Sequence, residues 1–234
     1  EIHDFLFEHR DQHLKINGRL GKTEADSCLV DLKNISLLYI MDMIQFHAVR
    51  FDGGISGKVH LRHVLEDPVM EARLDVKDFS LNHALLGRAD ILGSWDKELG
   101  GVRLNADIRR DSACTTRVIG YVSPKMKGLD LHIQAGGTPL SFLQPFVENI
   151  FSNVNGSVHG DVRLFGPFSQ LDLEGKVKAQ MQMKVNILNA TFLASADSVH
   201  IASGLFRFQN VRLQDTEGHT GLANGELRHT KLKN

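Results

Sequence analysis

Between Leu171 and Ile187 the chain alternates apolar and polar residues without interruption. Leu171, Leu173, Gly175, Val177, Ala179, Met181, Met183, Val185 and Ile187 hold the odd positions. Asp172, Glu174, Lys176, Lys178, Gln180, Gln182, Lys184 and Asn186 hold the even ones. Successive strand side chains point to opposite faces, so the run predicts one strand with an apolar face and a wetted face. At about 3.3 Å per residue it would reach about 55 Å, against a usual strand of about 5–6 residues. A strand that long suits a groove, a wall or a barrel better than a compact core.

Other segments carry the same signal. Val102, Leu104, Ala106 and Ile108 alternate with polar residues, as do Val158, Gly160, Val162 and Leu164. Residues 114–122 and 129–133 are rich in β-branched and apolar residues, which favour strands. Asn17-Gly18, Asp52-Gly53, Asn155-Gly156 and Asn224-Gly225 predict tight hairpin turns, since both residues of each pair accept positive φ. Two short helices are expected. One covers Leu37 to Ile44; the other opens with Thr138 as N-cap and Pro139 in the first turn. Leu140, Leu143, Val147 and Ile150 would then share a face, with a kink or restart at Pro145.

These segments are related. A shift of 103 residues carries Leu37, Tyr39, Ile40 and Ile44 onto Leu140, Phe142, Leu143 and Val147. It carries Gly57, Val59 and Leu61 onto Gly160, Val162 and Leu164, and Glu71, Arg73 and Leu74 onto Glu174, Lys176 and Val177. Matches fade beyond, where Phe79 falls on Gln182. We read residues 1–234 as one β-domain with an internal repeat, about 35–77 and 138–180. Stacked units of this kind bury an apolar surface that one copy cannot.

Composition narrows the function. A hydrophobic fraction of 42% and a charged fraction of 24% are those of a folded domain. Lys+Arg of 27 against Asp+Glu of 28 leaves no excess charge to draw nucleic acid or an anionic membrane. With 13 Phe but 2 Tyr and 1 Trp, the chain lacks the interfacial girdles of a membrane barrel. No apolar run of about 18 residues suggests a spanning helix. Residues 1–6 read as mid-strand, so the expectation is a piece of a longer chain with its targeting segment upstream. Cys28 and Cys114 have no metal spacing; a disulfide and two buried thiols both remain open.

Catalytic patterns fail on inspection. Gly18 to Thr23 resembles a P-loop, but Ile16 stands where the motif needs its first glycine. Gly54-Ile55-Ser56-Gly57 is one residue short of a nucleophile elbow, and His159 replaces Ser56 in the second copy. His60 and His63 lie three apart, which on a strand sends them to opposite faces. Asp172 and Glu174 share a face with Lys176 and Lys178, as a mixed-sign solvated surface does. We therefore expect no enzyme, no metal and no cofactor.

The C-terminal stretch from Phe206 to His229, with Asn210, Asp215, Gly218, Gly221 and Gly225 in order, resembles the C-terminal domain of the TamB family in its Bacteroidetes-type members. Residues 11–18, 31–37, 79–82, 120–124 and 128–131 fit the same order. The resemblance implies an AsmA-like, bridge-like protein of the Gram-negative envelope: non-enzymatic, periplasmic, anchored in the inner membrane by a segment outside this chain. Its fold would be an elongated, curved antiparallel sheet folded into an open groove, a β-taco. It implies phospholipid acyl chains as cargo and a TamA-like outer-membrane barrel as partner, with a role in lipid movement and outer-membrane protein assembly. The groove lining would then be Val102, Leu104, Ala106, Ile108, Val162, Leu164, Leu171, Leu173, Val177, Ala179, Met181, Met183, Val185 and Ile187. Acyl chains need apolar walls without fixed polar partners, which these residues supply. The rival expectation is a β-strand-pairing scaffold without lipid cargo. An outer-membrane barrel and an enzyme on a β-solenoid rank below it.

Overall fold

A computed structural model describes residues 2–21, 26–43, 49–63, 68–111, 115–228 and 232–233. Each strand pairs antiparallel with the next in sequence, from β1 (Ile2–His9), β2 (Gln12–Gly18) and β3 (Ser27–Ser36) onward. Helix α1 (Leu37–Met43) follows, then β4 (Phe51–Arg62), β5 (Val69–Leu81), β6 (Ala84–Asp96), β7 (Gly101–Arg109), β8 (Thr115–Ser123) and β9 (Gly128–Pro139). A 3-10 turn (Leu140–Leu143) runs into helix α2 (Gln144–Val147). After it come β10 (Phe151–Pro167), β11 (Gln170–Val185), β12 (Ala190–Ala202), β13 (Leu205–Asp215) and β14 (Thr220–Arg228). A two-residue β15 (Leu232–Lys233) returns to pair with the start of β11. The result is one open, unclosed antiparallel sheet with two short helices, the curved-groove architecture expected above.

Register aligns the alternation of every strand. One ladder position crosses all of β1 to β14: Phe7, Leu14, Leu32, Gly57, Leu74, Ile91, Ala106, Val118, Ile133, Val162, Gly175, Ile201, Phe206 and Leu227. Every member is apolar or glycine. One residue along each strand, the row from β4 to β14 reads Ser56, Asp75, Asp90, Asp107, Arg117, Gln134, Asp161, Lys176, His200, Arg207 and Glu226. A one-residue slip at any pair would swap these faces and expose the apolar row to water.

The sheet curls toward its apolar side. Phe51 of β4 packs against the buried pair Leu129 of β9 and Leu171 of β11. In a flat sheet β4 and β9 would lie about 24 Å apart, five steps of about 4.8 Å. The turn after β5 closes the same gap: the Asn82 side-chain amide donates to the Phe142 carbonyl at 3.3 Å. Under α1 lie Leu37, Ile55, Val76, Leu86, Ala89 and Ile108. Under the second helical segment lie Leu140, Val154, Ala179, Ala194, Ala196 and Val211.

Pairing obeys the 103-residue shift. Leu32, Gly57 and Leu74 stand in one row, and Ala135, Gly160 and Val177 stand in another. Gly57 and Gly160 have φ of 136° and 140°, and Gly53 and Gly156 have 139° and 132°. A Cβ on Gly57 would meet the Arg73 carbonyl oxygen at 2.1 Å, and one on Gly160 the Lys176 oxygen at 2.4 Å. Residues 73 and 176 are themselves 103 apart.

Several sequence expectations need correction. None of the four Asx-Gly pairs is a hairpin turn: Gly18, Gly53, Gly156 and Gly225 lie within strands. Glycine is needed at Gly18 and Gly156 because the neighbouring backbone approaches to 2.1 Å of where a Cβ would stand. A true two-residue turn is Asn82-His83, with φ of 48° and 67°. Thr138 is no N-cap. It lies within β9 and its hydroxyl bonds that of Thr116 at 2.6 Å, while Pro139 takes the cap position. The restart near Pro145 is present as the change from 3-10 to α at Gln144. Ile150 is 44% exposed, off the packed face. Ile44 and Cys114 lie outside the described residues, as do Lys22 and Thr23 of the P-loop-like stretch.

Candidate functional site: the apolar groove

Of the predicted lining residues, thirteen share the apolar face, but they fall into two environments. Ala106, Ile108, Leu171, Val177 and Ala179 are buried, and Ile108, Leu171 and Ala179 belong to packed clusters. Leu171, at 1% exposure, is closed off by Leu129 and by Phe51 from across the groove. Val102, Leu104, Val162, Leu164, Leu173, Met181, Met183 and Val185 are half-buried. The ladder residues Leu74, Ile91, Val118 and Ile133 are half-buried too, and they extend the lining into β5, β6, β8 and β9. Sequence reading missed them, although Ala72, Leu74 and Val76 alternate with Arg73, Asp75 and Lys77 as cleanly as β7 does.

Ile187 is a correction. It is 91% exposed in a 3-10 turn (Asn186–Leu188) and lines nothing. The alternation ends there because Asn186 is held by the α2 region. Its backbone N–H donates to Ile150 O at 3.0 Å, and its side-chain amide donates to Glu148 O at 2.8 Å. Asn189 then turns the chain with φ of 50°.

The opposite face of the sheet carries charge, much of it in ion pairs. Arg163 donates from two nitrogens to Asp130 at 2.8 and 2.7 Å and from the third to Glu174 at 2.8 Å. Arg163 holds the Asp130 carboxyl below the usual carboxylate range, first by hydrogen bonding and then by its charge. Arg117 bonds Asp107 at 3.0 Å and Arg207 bonds Glu226 at 2.7 Å. The His219 ring and backbone lower the Asp215 carboxyl likewise. On the apolar side of β3, the Cys28 thiol is buried, and that burial pushes its pKa up.

The groups weighed for chemistry are held apart. Asp172 is buried, a departure from the wetted-face pattern. It accepts from the Ser203 hydroxyl at 2.5 Å and from the Leu173 N–H at 2.9 Å, at the β12–β13 turn. Glu174 faces Arg163 instead. The Ser56 hydroxyl accepts from the Asn34 N–H at 2.9 Å, which makes it a tie across a bulge. His60 is exposed on the polar face, and His63 lies past the end of β4 with φ of 50°. Among the described residues no cluster of three or more His, Cys, Asp or Glu is placed to hold a metal. Nor is any described helix long and apolar enough to cross a membrane.

What the described lining presents is mainly a surface of dispersion and hydrophobic contact, crossed by the ladder from β1 to β14. No family model, no curated protein and no solved structure matches this chain.

Proposed function

We propose that this chain is a segment of a TamB-like envelope protein whose groove shields phospholipid acyl chains between the inner and outer membranes. The observation that carries the reading is the ladder: fourteen apolar or glycine positions in one unbroken row, most of them half-buried. A packed sandwich buries such a row against a second sheet. Here short helices cover parts of it and the remainder stays partly open. On this reading the protein is non-enzymatic and periplasmic, its inner-membrane anchor lies outside this chain, and a TamA-like barrel is its outer-membrane partner.

The test uses neighbouring residues on opposite faces. A photo-crosslinking side chain at Ile133 faces the groove, and one at Gln134 faces away. Irradiation in envelope preparations should give a phospholipid adduct at position 133 and none at 134, read by mass spectrometry of the purified protein. Equal adducts at both positions, or none at 133, would overturn the lipid role. Val118→Asp with Ile133→Asp should strip co-purified phospholipid while far-UV circular dichroism keeps its β-signature.

A second reading is a scaffold that pairs strands with an unfolded outer-membrane protein. The observation favouring it is that β1 and β14 each have one neighbour among the described residues. A protein adduct at β14, competed by a strand-forming peptide, would support that reading over lipid carriage.

A further inference from the structure

Two contacts of unlike chemistry join the β4–β6 side of the curled sheet to the β9–β11 side. Neither is a ladder: among the described residues no strand pairing links β4 to β9, β10 or β11. The first contact is apolar. Met41, Val49 and Phe51 from one side, and Leu131, Leu164 and Phe168 from the other, pack against Leu129 and Leu171. The second is the Asn82 side chain. Its carbonyl oxygen accepts from the Arg50 N–H at 3.0 Å on its own side, while its amide donates to the Phe142 carbonyl at 3.3 Å on the other.

Each side is fixed independently of this seam. On the first, Phe51 stacks on Phe79 at 5.9 Å, and Met41 and Phe51 pack against the cluster under α1. On the second, the Phe168 N–H donates to Lys127 O at 2.7 Å, and β15 pairs with β11 at Leu171. Leu171 records the closure. It is 1% exposed, whereas Leu173, two residues along the same face, is half-buried.

We infer that this seam is a clasp, which opens and shuts the apolar groove while every ladder from β4 to β11 stays intact. Parting it costs side-chain contacts and one amide-to-carbonyl hydrogen bond, whereas any other route into the interior strips a strand of its main-chain partners. The intervening strands can take up the motion as a change of coil, and β5 already carries a bulge between Val76 and Phe79. An apolar molecule that replaced the lost contacts would favour the open form. The clasp is a property of the empty chain, so the inference stands or falls separately from lipid carriage.

Native-state labelling with methyl methanethiosulfonate, read by mass spectrometry, tests it in the folded chain carrying Cys28→Ala and Cys114→Ala. Leu171→Cys and Leu129→Cys each place a reporter in the seam. Ala89→Cys, at a position as buried as Leu171, reports on the packed cluster under α1. The seam thiols should react about tenfold faster than the reference or more, with a shallower urea dependence, because opening exposes less surface than unfolding. Amide exchange across the β5–β9 ladders should stay slow under the same conditions. Asn82→Asp keeps the acceptor for Arg50 and removes the donor to Phe142, so it should speed the seam thiols further and leave the reference unchanged. Equal rates and equal urea slopes at seam and reference would overturn the clasp. So would an Asn82→Asp variant that changes both or neither, or ladder amides that exchange as fast as the seam is labelled.

Discussion

The two segments related by the 103-residue shift pair their central strands alike and differ in what they bury. Under α1, the first cluster is built mainly of branched side chains: Leu37, Ile55, Val76, Leu86 and Ile108, with Ala89 alone small. Its counterpart under α2 contains Ala179, Ala194 and Ala196, and Met181 and Met183 fill in at its margin. Branched residues have few rotamers and hold a fixed shape, whereas methionine adapts to irregular volume. The same register of strands thus carries one cluster of mainly branched side chains and one richer in alanine and edged by two methionines, and the second wall is expected to yield more readily. A bulge in β5 marks where the copies part. Asp78 takes φ of 52°, which turns Phe79 onto the apolar face, where its ring stacks on Phe51 at 5.9 Å. The equivalent Gln182 stays on the polar face, so the fading match there records a change of side.

The largest effects should come from what the copies have in common. Gly57→Val and Gly160→Val each drive a side chain into the neighbouring strand at a positive φ. Each should lower stability by about 3 kcal/mol or more, measured as the shift in urea midpoint. A mild Gly160→Val beside a severe Gly57→Val would break the equivalence of the two backbones. Next come the helix anchors. Leu37→Ala should cost about 4 kcal/mol, and Leu140→Ala about 2–3 kcal/mol, because methionine can relax into the void beside it. Equal losses would show that the second wall is as rigid as the first.

The smallest effect is electrostatic. Asp130 has a lower pKa folded than unfolded, so its contribution is present above the unfolded value of about 4 and is lost as pH falls through the folded value. Asp215 follows the same sign through His219. Urea midpoints should therefore drop on acidification below about pH 4, and Arg163→Gln should flatten part of that drop. A pH profile unchanged by Arg163→Gln would remove Asp130 from the account.

The reasons for success and failure in reading this chain are local. Val102 to Ile108 declared its strand and its inward face because period-two alternation needs no knowledge of the rest of the fold. The groove lining was only partly legible, because alternation says which side chains share a face and not what covers them. Val177 is buried while Leu173 remains half-open. Asn17-Gly18, Asp52-Gly53 and Asn155-Gly156 misled because a glycine within a strand and one that turns a hairpin can have the same need for positive φ. Ile187 misled because the end of β11 is set by hydrogen bonds from Asn186 to residues about 36–38 positions earlier.

The order of the strands in space is the order in the chain, with β15 as the exception. A rung can dock as soon as its predecessor is in place, without waiting for a distant segment, so assembly can spread from any formed hairpin in steps that each close a modest loop. Stability then behaves as a chain of nearest-neighbour couplings, and unfolding should begin at a margin and travel inward. A protein organised this way can acquire structure progressively as it emerges from a narrow exit, one strand at a time.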